Sequence, residues 1–448
     1  MKVLLVYTNQ KRELSPPPLG MSMIAQDAER AGHRVATLDL MFAEDANAAL
    51  KDALARHRPD MVGFSLRNLD NQDMSSSEAY PPRYKEWVSM AVREAPVVLG
   101  GSAFSTYPDE MLAYTGATVG IAGQADRSFG AFLTEWEQKG ADGPFTTPGV
   151  VWRQGSEIKQ NPITLDGYVR PDTGQVCWRH IEFAKYRKVK QSYFSQAVIT
   201  KVGCPYRCFF CDTHVTFGKE FMLRPIEAIV DELERNRREH GMRHDMFMFV
   251  DALFNEPIDF AKQLLEALIR TGRKHGFLVV FEPTVFDEEL IRLLKRAGCV
   301  CTTMLAGGAT DEMLQAHCKT FTSQDLHRAS SLLEKHHIPY IMQFLVGAPG
   351  ETMESVETAL SFGSRRRPFV LQVGCGVRIN KQTPAYARAL EEGMITPGES
   401  LLLPRFYVSP TLPKDRVKER LDAFNKANGP RYRDLMTLIW KMMTLRFA

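Results

Sequence analysis

Cys204, Cys208 and Cys211 form a CxxxCxxC motif in the middle of the chain, directly after a predicted strand. A structural zinc site usually takes four protein ligands, whereas a four-iron cluster held by three thiolates keeps its last iron open. An open iron can bind a substrate or a cofactor. Because His214 is close enough in the chain to complete a zinc site of the Cys₃His type, the residues alone leave both interpretations open.

The other five cysteines are scattered along the chain. Because the sequence shows no export signal, all eight cysteines are expected to be reduced thiols. The scattered ones are predicted to be small buried hydrophobic residues, and they are Cys177, Cys299, Cys301, Cys318 and Cys375.

Two parts of the chain alternate short β-branched runs with amphipathic segments, the pattern of an α/β fold with parallel sheets. In residues 1–145 the predicted strands cover residues 3–7, 35–40, 61–66, 97–99 and 118–122. This part is expected to form a doubly wound, Rossmann-like domain. Such a domain binds ligands beyond the carboxyl ends of its strands.

Residues 146–190 lose this alternation and are predicted to form a hairpin centred on Gly155 and then an irregular linker. In residues 191–396 the alternation returns, and six predicted strands indicate a partial (β/α)₆ barrel of the TIM type, with the cysteine loop at its top. These strands cover residues 197–200, 247–250, 278–281, 302–305, 340–346 and 370–373. Residues 397–448 are expected to be a short helical region.

The composition excludes several classes of protein. The chain of 448 residues has 56 basic and 53 acidic residues, so its net charge of +3 creates no global attraction for nucleic acid. No apolar run is long enough to span a bilayer. The first residues have the pattern of a buried strand and not of a signal peptide, so a cytoplasmic location is expected. Residues 431–448 are apolar with interspersed basic residues, which favours docking on the protein itself, with peripheral membrane contact as the alternative.

The cysteine motif and its place in a barrel resemble the radical S-adenosylmethionine superfamily. The resemblance implies a [4Fe–4S] cluster on Cys204, Cys208 and Cys211, with S-adenosylmethionine on the open iron. In that family the bound cofactors generate an adenosyl radical that takes hydrogen from unactivated carbon. Phe210 matches the family's aromatic residue near the adenine.

Three further segments carry the resemblance along the barrel. Asp251 follows the second strand and is implied to face the site, with a turn or helix cap as the alternative. The segment GAPGET resembles the family's GxPGET turn, which implies that Gly347, Pro349 and Gly350 approach the adenosyl group. Arg378 matches the sixth-strand segment of cobalamin-associated members, with a structural ion pair as its alternative.

One segment departs from the family pattern. Many relatives have an acidic residue in a Glu-Ser-Gly-like segment after the fourth strand, where this chain has Ala306, Gly307 and Gly308. The usual carboxylate contact to S-adenosylmethionine is therefore in doubt. We expect the two glycines to make room for a substrate instead.

The first domain has no GxGxxG fingerprint, no cysteine, and no histidine between His57 and His180. It resembles the cobalamin-binding domains of radical S-adenosylmethionine enzymes that lack the DxHxxG motif. The resemblance implies that Arg67, Asn68 or water lies below the cobalt in place of a histidine. The alternative is a degenerate Rossmann-like domain that binds no ligand. The implied cobalamin contacts are Leu19, Gly20, Ser65, Arg67, Asn68, Gly100, Gly101, Ser102 and Gly123.

These resemblances imply methylation of an unactivated carbon in a small-molecule or lipid-like substrate. They also imply an external one-electron reductant of the flavodoxin or ferredoxin type. A cobalamin-dependent radical cyclase or rearrangement enzyme is the alternative, and a non-enzymatic cobalamin sensor is a further one. A methyl-carrying cysteine in the barrel, as in the ribosomal RNA methylases of the superfamily, also stays open.

Overall fold

The structure is a computed structural model that describes residues 1–11, 17–126, 128–163, 178–188, 196–239, 245–273, 275–366 and 368–428. Two parallel sheets dominate it. The first is built from elements in the order β1 (Lys2–Tyr7), α1 (Leu19–Arg30), β2 (Arg34–Asp39), a 3₁₀ turn (Leu40–Phe42), α2 (Ala46–His57), β3 (Met61–Ser65), α3 (Pro81–Ala91), β4 (Val97–Gly100), α4 (Ser102–Thr106), α5 (Pro108–Thr115), β5 (Val119–Ile121), α6 (Phe129–Lys139), β6 (Val150–Gln154) and β7 (Glu157–Gln160).

The first sheet is doubly wound, with the strand order β2-β1-β3-β4-β5-β6-β7. All five strands predicted for this part of the chain are present, and they pair in parallel. Their apolar runs fit burial on both faces: in β1 every residue after Lys2 is buried. The helices cover these faces with residues at helical spacing, such as Met21, Ala25 and Ala28 of α1.

The hairpin predicted around Gly155 is present, and it belongs to the first sheet. Strand β6 pairs antiparallel with β5, and β7 pairs antiparallel with β6. The first sheet therefore extends beyond residue 145, the boundary expected from the sequence. Most of the predicted irregular linker, residues 164–177 and 189–195, lies outside the described residues.

The second sheet has six parallel strands in the order β15-β14-β13-β12-β11-β8, which agrees with the predicted partial barrel. The elements of this part of the chain are α7 (Phe183–Lys188), β8 (Gln196–Val198), β9 (Lys201–Val202), α8 (Thr213–Thr216), β10 (Met222–Leu223), α9 (Ile226–Glu239), β11 (Asp245–Phe249), α10 (Ile258–Arg270), β12 (His275–Val280), α11 (Glu288–Ala297), β13 (Cys299–Gly307), α12 (Asp311–Ala316), α13 (Ser323–Lys335), β14 (Tyr340–Val346), α14 (Met353–Arg365), β15 (Val370–Cys375), β16 (Val377–Arg378), α15 (Pro384–Glu391), β17 (Phe406–Tyr407) and α16 (Lys414–Asn428). Strands β9 and β10 form a separate two-stranded sheet, and so do β16 and β17.

The chain returns to the first domain after the last barrel strand. Val377, Leu401 and Tyr407 are fully buried in the same apolar cluster as Leu4 and Phe104 of the first domain. The two domains therefore share a core. The predicted apolar segment 431–448 lies outside the described residues, and no helix in the described part of the chain is long and apolar enough to cross a membrane.

A buried ion pair links the two domains. Arg378 Nε donates to Asp70 Oδ2 at 2.6 Å, and its two terminal nitrogens donate to the carbonyl oxygens of Ile379 and Leu401. The Arg378 and Asp70 side chains are 6% and 2% exposed. A buried charge that loses its partner is costly, so this pair makes the domain arrangement specific.

We expect Arg378→Met to destabilise the protein by roughly 3–5 kcal/mol, because the Asp70 carboxylate would stay buried without its cation. Calorimetry of the cofactor-free protein should show a lower midpoint of thermal unfolding. The matched control is Arg420→Met, which breaks the half-exposed pair with Glu357 and should cost no more than about 1 kcal/mol. Equal shifts in the two variants would contradict this account.

Candidate active site between the two sheets

A cavity of about 390 Å³ lies at the carboxyl ends of the first sheet. Its opposite wall comes from the start of the second sheet, with Ala197, Ile199 and Val250. Eight of the nine residues that the sequence analysis assigned to cobalamin line this cavity, namely Leu19, Gly20, Ser65, Arg67, Gly100, Gly101, Ser102 and Gly123. Asn68 lies in neighbouring cavities, and its carbonyl oxygen accepts a hydrogen bond from Tyr84.

Two tight turns form the floor of the cavity. Gly101 has a φ of +92°, and a Cβ there would lie 2.5 Å from the Leu66 carbonyl oxygen, so no other residue fits. The Ser105 hydroxyl donates to the Gly101 carbonyl oxygen and accepts from the Gly123 amide, both at 2.9 Å. Ser105 thereby fixes the two turns against each other, a role the sequence analysis missed because it depends on contacts between neighbouring strands.

Arg67 supplies positive charge to the cavity. Its side chain hydrogen-bonds to Tyr7 at the end of β1. Burial raises the pKa of the Tyr7 phenol above its usual value, and the nearby Arg67 charge offsets part of this rise. Asp39 lies beside Tyr7 and accepts a hydrogen bond from Tyr186 of α7. The side chain of Arg67 is therefore held by a network that reaches the edge of the first domain.

The cavity fits a large, mainly apolar ligand such as a corrinoid. Its walls are chiefly aliphatic and aromatic residues of the strand ends and α1. A Cβ built on Gly20 meets no atom within 4 Å, so the first turn of α1 leaves open space. None of the described residues lining the cavity is a histidine.

The cysteine loop follows β9 and lies between the sheets. Gly203 starts it with a φ of +90°, and a Cβ there would lie 1.9 Å from the Glu220 carbonyl oxygen. The Cys204 amide donates to the Gly218 carbonyl oxygen, and the Cys211 amide donates to that of Cys208, both at 3.0 Å. These backbone bonds hold both ends of the loop that carries the three thiols.

Burial makes all three thiols less acidic. It raises the pKa of Cys204 to about 11 and that of Cys208 to about 12, and it also raises the pKa of Cys211. The thiols therefore stay protonated until a metal displaces the proton. The described residues contain no group of three His, Cys, Asp or Glu side chains that could hold a single metal ion. A cluster distributes its thiolates over different irons, so they need not converge on one point.

An ion pair lies beside the thiols. Lys319 Nζ and Glu282 Oε1 are 2.5 Å apart, and their side chains are 3% and 8% exposed. Both charges act on the pKa of Cys204 and Cys208. The sequence analysis missed the pair. Glu282 directly follows Phe281, the last residue of a predicted strand, so its place at the strand end could have been predicted from the sequence. The position of Lys319 depends instead on the left-handed turn at Cys318, which has a φ of +55°.

The region of Gly307 and Gly308 corrects one expectation. A Cβ on Gly307 would lie 2.7 Å from the His317 ring, and one on Gly308 would lie 2.3 Å from Met313 Cβ. The two glycines make room for these side chains of α12 and the turn after it, and not for a substrate. The His317 ring packs edge-on against Phe210, at 6.2 Å between centroids, and orients the aromatic residue assigned to the adenine.

Asp251 serves the cysteine loop rather than facing open space. Its carboxylate accepts hydrogen bonds from the amide and hydroxyl of Thr200, at 2.7 and 2.6 Å, and from the Lys201 amide at 3.3 Å. The carboxylate thus bonds to the backbone that leads into the cysteine loop. The Arg378 guanidinium bonds to Asp70 and two carbonyl oxygens.

The turn after β14 contains Gly347, Pro349 and Gly350. Glu351 shapes it, because its carboxylate accepts from the amides of Gly347 and Ala348 at 2.6 and 3.1 Å. Burial raises the pKa of Glu351 to about 7. The turn thus presents its backbone at the carboxyl end of the strand, as the GxPGET resemblance implies.

A smaller, polar cavity of about 170 Å³ adjoins the first and shares Arg67, Ser102, Thr216 and Phe217 with it. It is also lined by Asp212, the residue after the last cysteine. Thr106 of the first domain donates a hydrogen bond to the Asp212 carboxylate at 3.2 Å. The cysteine loop is therefore tied directly to the domain that carries the large cavity.

Comparison with known proteins agrees with this arrangement. The B12 binding domain matches residues 8–133, and the Radical SAM superfamily matches residues 198–363. The Tryptophan 2-C-methyltransferase of Streptomyces laurentii is 25% identical, over 82% of this chain and 73% of its own. The Anaerobic magnesium-protoporphyrin IX monomethyl ester cyclase of Cereibacter sphaeroides is 27% identical, but over 47% of this chain and 34% of its own.

The fold is shared with a solved structure. The radical S-adenosylmethionine methyltransferase TsrM from Kitasatospora setae, with cobalamin and [4Fe–4S] cluster bound, superposes with a TM-score of 0.80 at 23% identity, covering 94% of this chain and 90% of that one. Both domain matches coincide with the cavity and the cysteine loop described above. The chain therefore contains a B12 binding domain followed by a Radical SAM domain, the pair of domains found in cobalamin-dependent radical S-adenosylmethionine enzymes.

Proposed function

We propose that this protein transfers a methyl group from S-adenosylmethionine to a carbon atom of a small-molecule substrate. One observation carries the proposal. Thr216 and Phe217, which directly follow the cysteine loop, form part of the wall of the cavity assigned to cobalamin. A substrate between the two sheets would therefore meet both cofactors.

The chain's own residues hold and orient the reactants. Cys204, Cys208 and Cys211 would ligate the cluster, and Phe210 with the turn at Gly347 would position the adenosyl group. When bound, the cluster and S-adenosylmethionine supply the radical chemistry and cobalamin carries the methyl group. The apolar walls of the large cavity exclude water, which protects reactive species from side reactions.

The length of the sequence matches favours methyl transfer over the cyclase alternative. The methyltransferase from S. laurentii aligns with most of the chain, whereas the cyclase aligns with less than half. The reaction needs electrons from outside, and we propose a one-electron reductant of the flavodoxin or ferredoxin type. A lipid-like substrate or a membrane contact would involve residues 431–448, which lie outside the described residues.

Methyl transfer predicts that S-adenosylhomocysteine forms only when cobalamin is present. The reconstituted protein would be incubated without oxygen with hydroxocobalamin, a strong reductant, S-adenosylmethionine and L-tryptophan, the substrate class named for the relative from S. laurentii. Mass spectrometry would measure S-adenosylhomocysteine and 5′-deoxyadenosine, with cobalamin omitted as the control. Formation of 5′-deoxyadenosine without S-adenosylhomocysteine would contradict methyl transfer and favour the cyclase alternative.

We expect Cys208→Ala to lose most of its bound iron and sulfide, because two thiolates hold a four-iron cluster poorly. The exposed Cys318 offers a matched control, since Cys318→Ala removes a thiol outside the motif. Iron and sulfide analysis after identical anaerobic reconstitution measures both. A cluster retained by Cys208→Ala, or lost equally from Cys318→Ala, would argue against the assignment.

We expect Gly20→Phe to weaken binding of hydroxocobalamin about tenfold or more, which corresponds to about 1.4 kcal/mol. The new side chain would start in open space, because a Cβ at Gly20 meets no atom within 4 Å, and it would take up part of the cavity that Gly20 lines. Arg30→Phe at the exposed end of the same helix is the control. Spectroscopic titration gives the Kd, and unchanged affinity in Gly20→Phe would place the corrinoid elsewhere.

A further inference from the structure

The ion pair between Lys319 and Glu282 has no part in the proposed assignments, although it lies next to the cysteine loop. Both side chains are almost completely buried, and their charged atoms are 2.5 Å apart. Desolvation of two ions is expensive, so hydrophobic residues of similar volume would often stabilise a core equally well. A buried pair in this place therefore calls for a role beyond stability.

Lys319 faces the cluster ligands rather than solvent. Its ammonium group donates to Glu282 Oε1 and lies close enough to Cys208 for its charge to lower the pKa of that thiol. The rings of Phe210 and Phe321 confine the ammonium group, with their centroids 5.9 and 5.8 Å from Nζ. The cation thus has one carboxylate, one cysteine and two aromatic rings around it.

The backbone fixes this position. Helix α12 ends at Ala316, and the left-handed Cys318 turns the chain so that the Lys319 amide donates to the Leu314 carbonyl oxygen at 2.9 Å. The Phe209 amide within the cysteine loop donates to the His317 carbonyl oxygen at 3.0 Å. The turn that carries Lys319 is therefore bonded to the loop that carries the cysteines.

We propose that Lys319, held by Glu282, sets the reduction potential of the cluster by placing a buried positive charge beside Cys208. Reduction adds one electron, and the potential of an iron–sulfur cluster depends on nearby charge, on hydrogen bonds to its sulfurs and on its exposure. A buried cation favours the reduced, more negative form and raises the potential. Glu282 holds the cation in place and partly offsets its charge. Lys319 is a positioning residue, and its role rests on the proposed function of the cysteine loop.

The two partners must then shift the potential in opposite directions. We expect Lys319→Met to lower it and Glu282→Gln to raise it, each by a tenfold change in the one-electron equilibrium, about 59 mV. Lys319→Arg, which keeps the charge and the hydrogen bonding, should stay closer to the parent protein. Lys262→Met, which breaks an ion pair on the outer helix α10, is the control that should leave the potential unchanged.

An electron paramagnetic resonance redox titration of each anaerobically reconstituted protein measures these potentials without substrate turnover. If Lys319→Met does not bind iron, the reduction potential of Glu282→Gln tests the proposal, because it should be higher than that of the parent protein. Unshifted potentials, shifts of the same sign, or failure of both variants to load a cluster would overturn the proposal, because it assigns tuning and not assembly to the pair. A parent protein without a reducible iron cluster would instead overturn the proposed function itself.

Discussion

The carboxyl ends of two parallel sheets face each other across one cavity, and the positions of the functional groups follow from that geometry. Parallel strands bring their following loops to the same edge, so each domain can place only certain segments there. The first sheet contributes the turns at Ser65, Gly100 and Gly123, and the second contributes the cysteine loop after β9. A ligand between these edges would contact both domains, and the two domains also share an apolar core.

Buried charges make this arrangement specific where apolar packing alone would not. Arg378 pairs with Asp70 across the domains, and Lys319 pairs with Glu282 beside the cysteines. Burying each charged group costs desolvation free energy, which only the attraction to its partner in the pair offsets. The contact between Thr106 and Asp212 adds a direct link from the first domain to the cysteine loop. Shifting either domain would leave buried charges or polar groups unpaired.

Local patterns predicted the strands and helices, because their periodicity is encoded by neighbouring residues, whereas the family resemblance pointed to residues that line the large cavity. The resemblance to cobalamin-dependent radical S-adenosylmethionine enzymes and the α/β fold class are confirmed. Long-range packing was not predictable in the same way. The hairpin at Gly155 pairs with the first sheet, and Gly307 packs against the His317 ring and not against a substrate. Both outcomes depend on contacts between residues that are far apart in the sequence. The position of Lys319 beside the cysteines was not predicted, because it depends on a left-handed turn at Cys318.

The central claim is that three sulfurs hold a four-iron cluster whose remaining iron is open to S-adenosylmethionine. Mössbauer spectroscopy of protein reconstituted with ⁵⁷Fe, recorded with and without S-adenosylmethionine, tests it most directly. The account predicts the spectrum of a four-iron cluster in which one iron site changes when S-adenosylmethionine is added and the other three do not. Absence of a four-iron signal, or a spectrum that is identical in both samples, would contradict it.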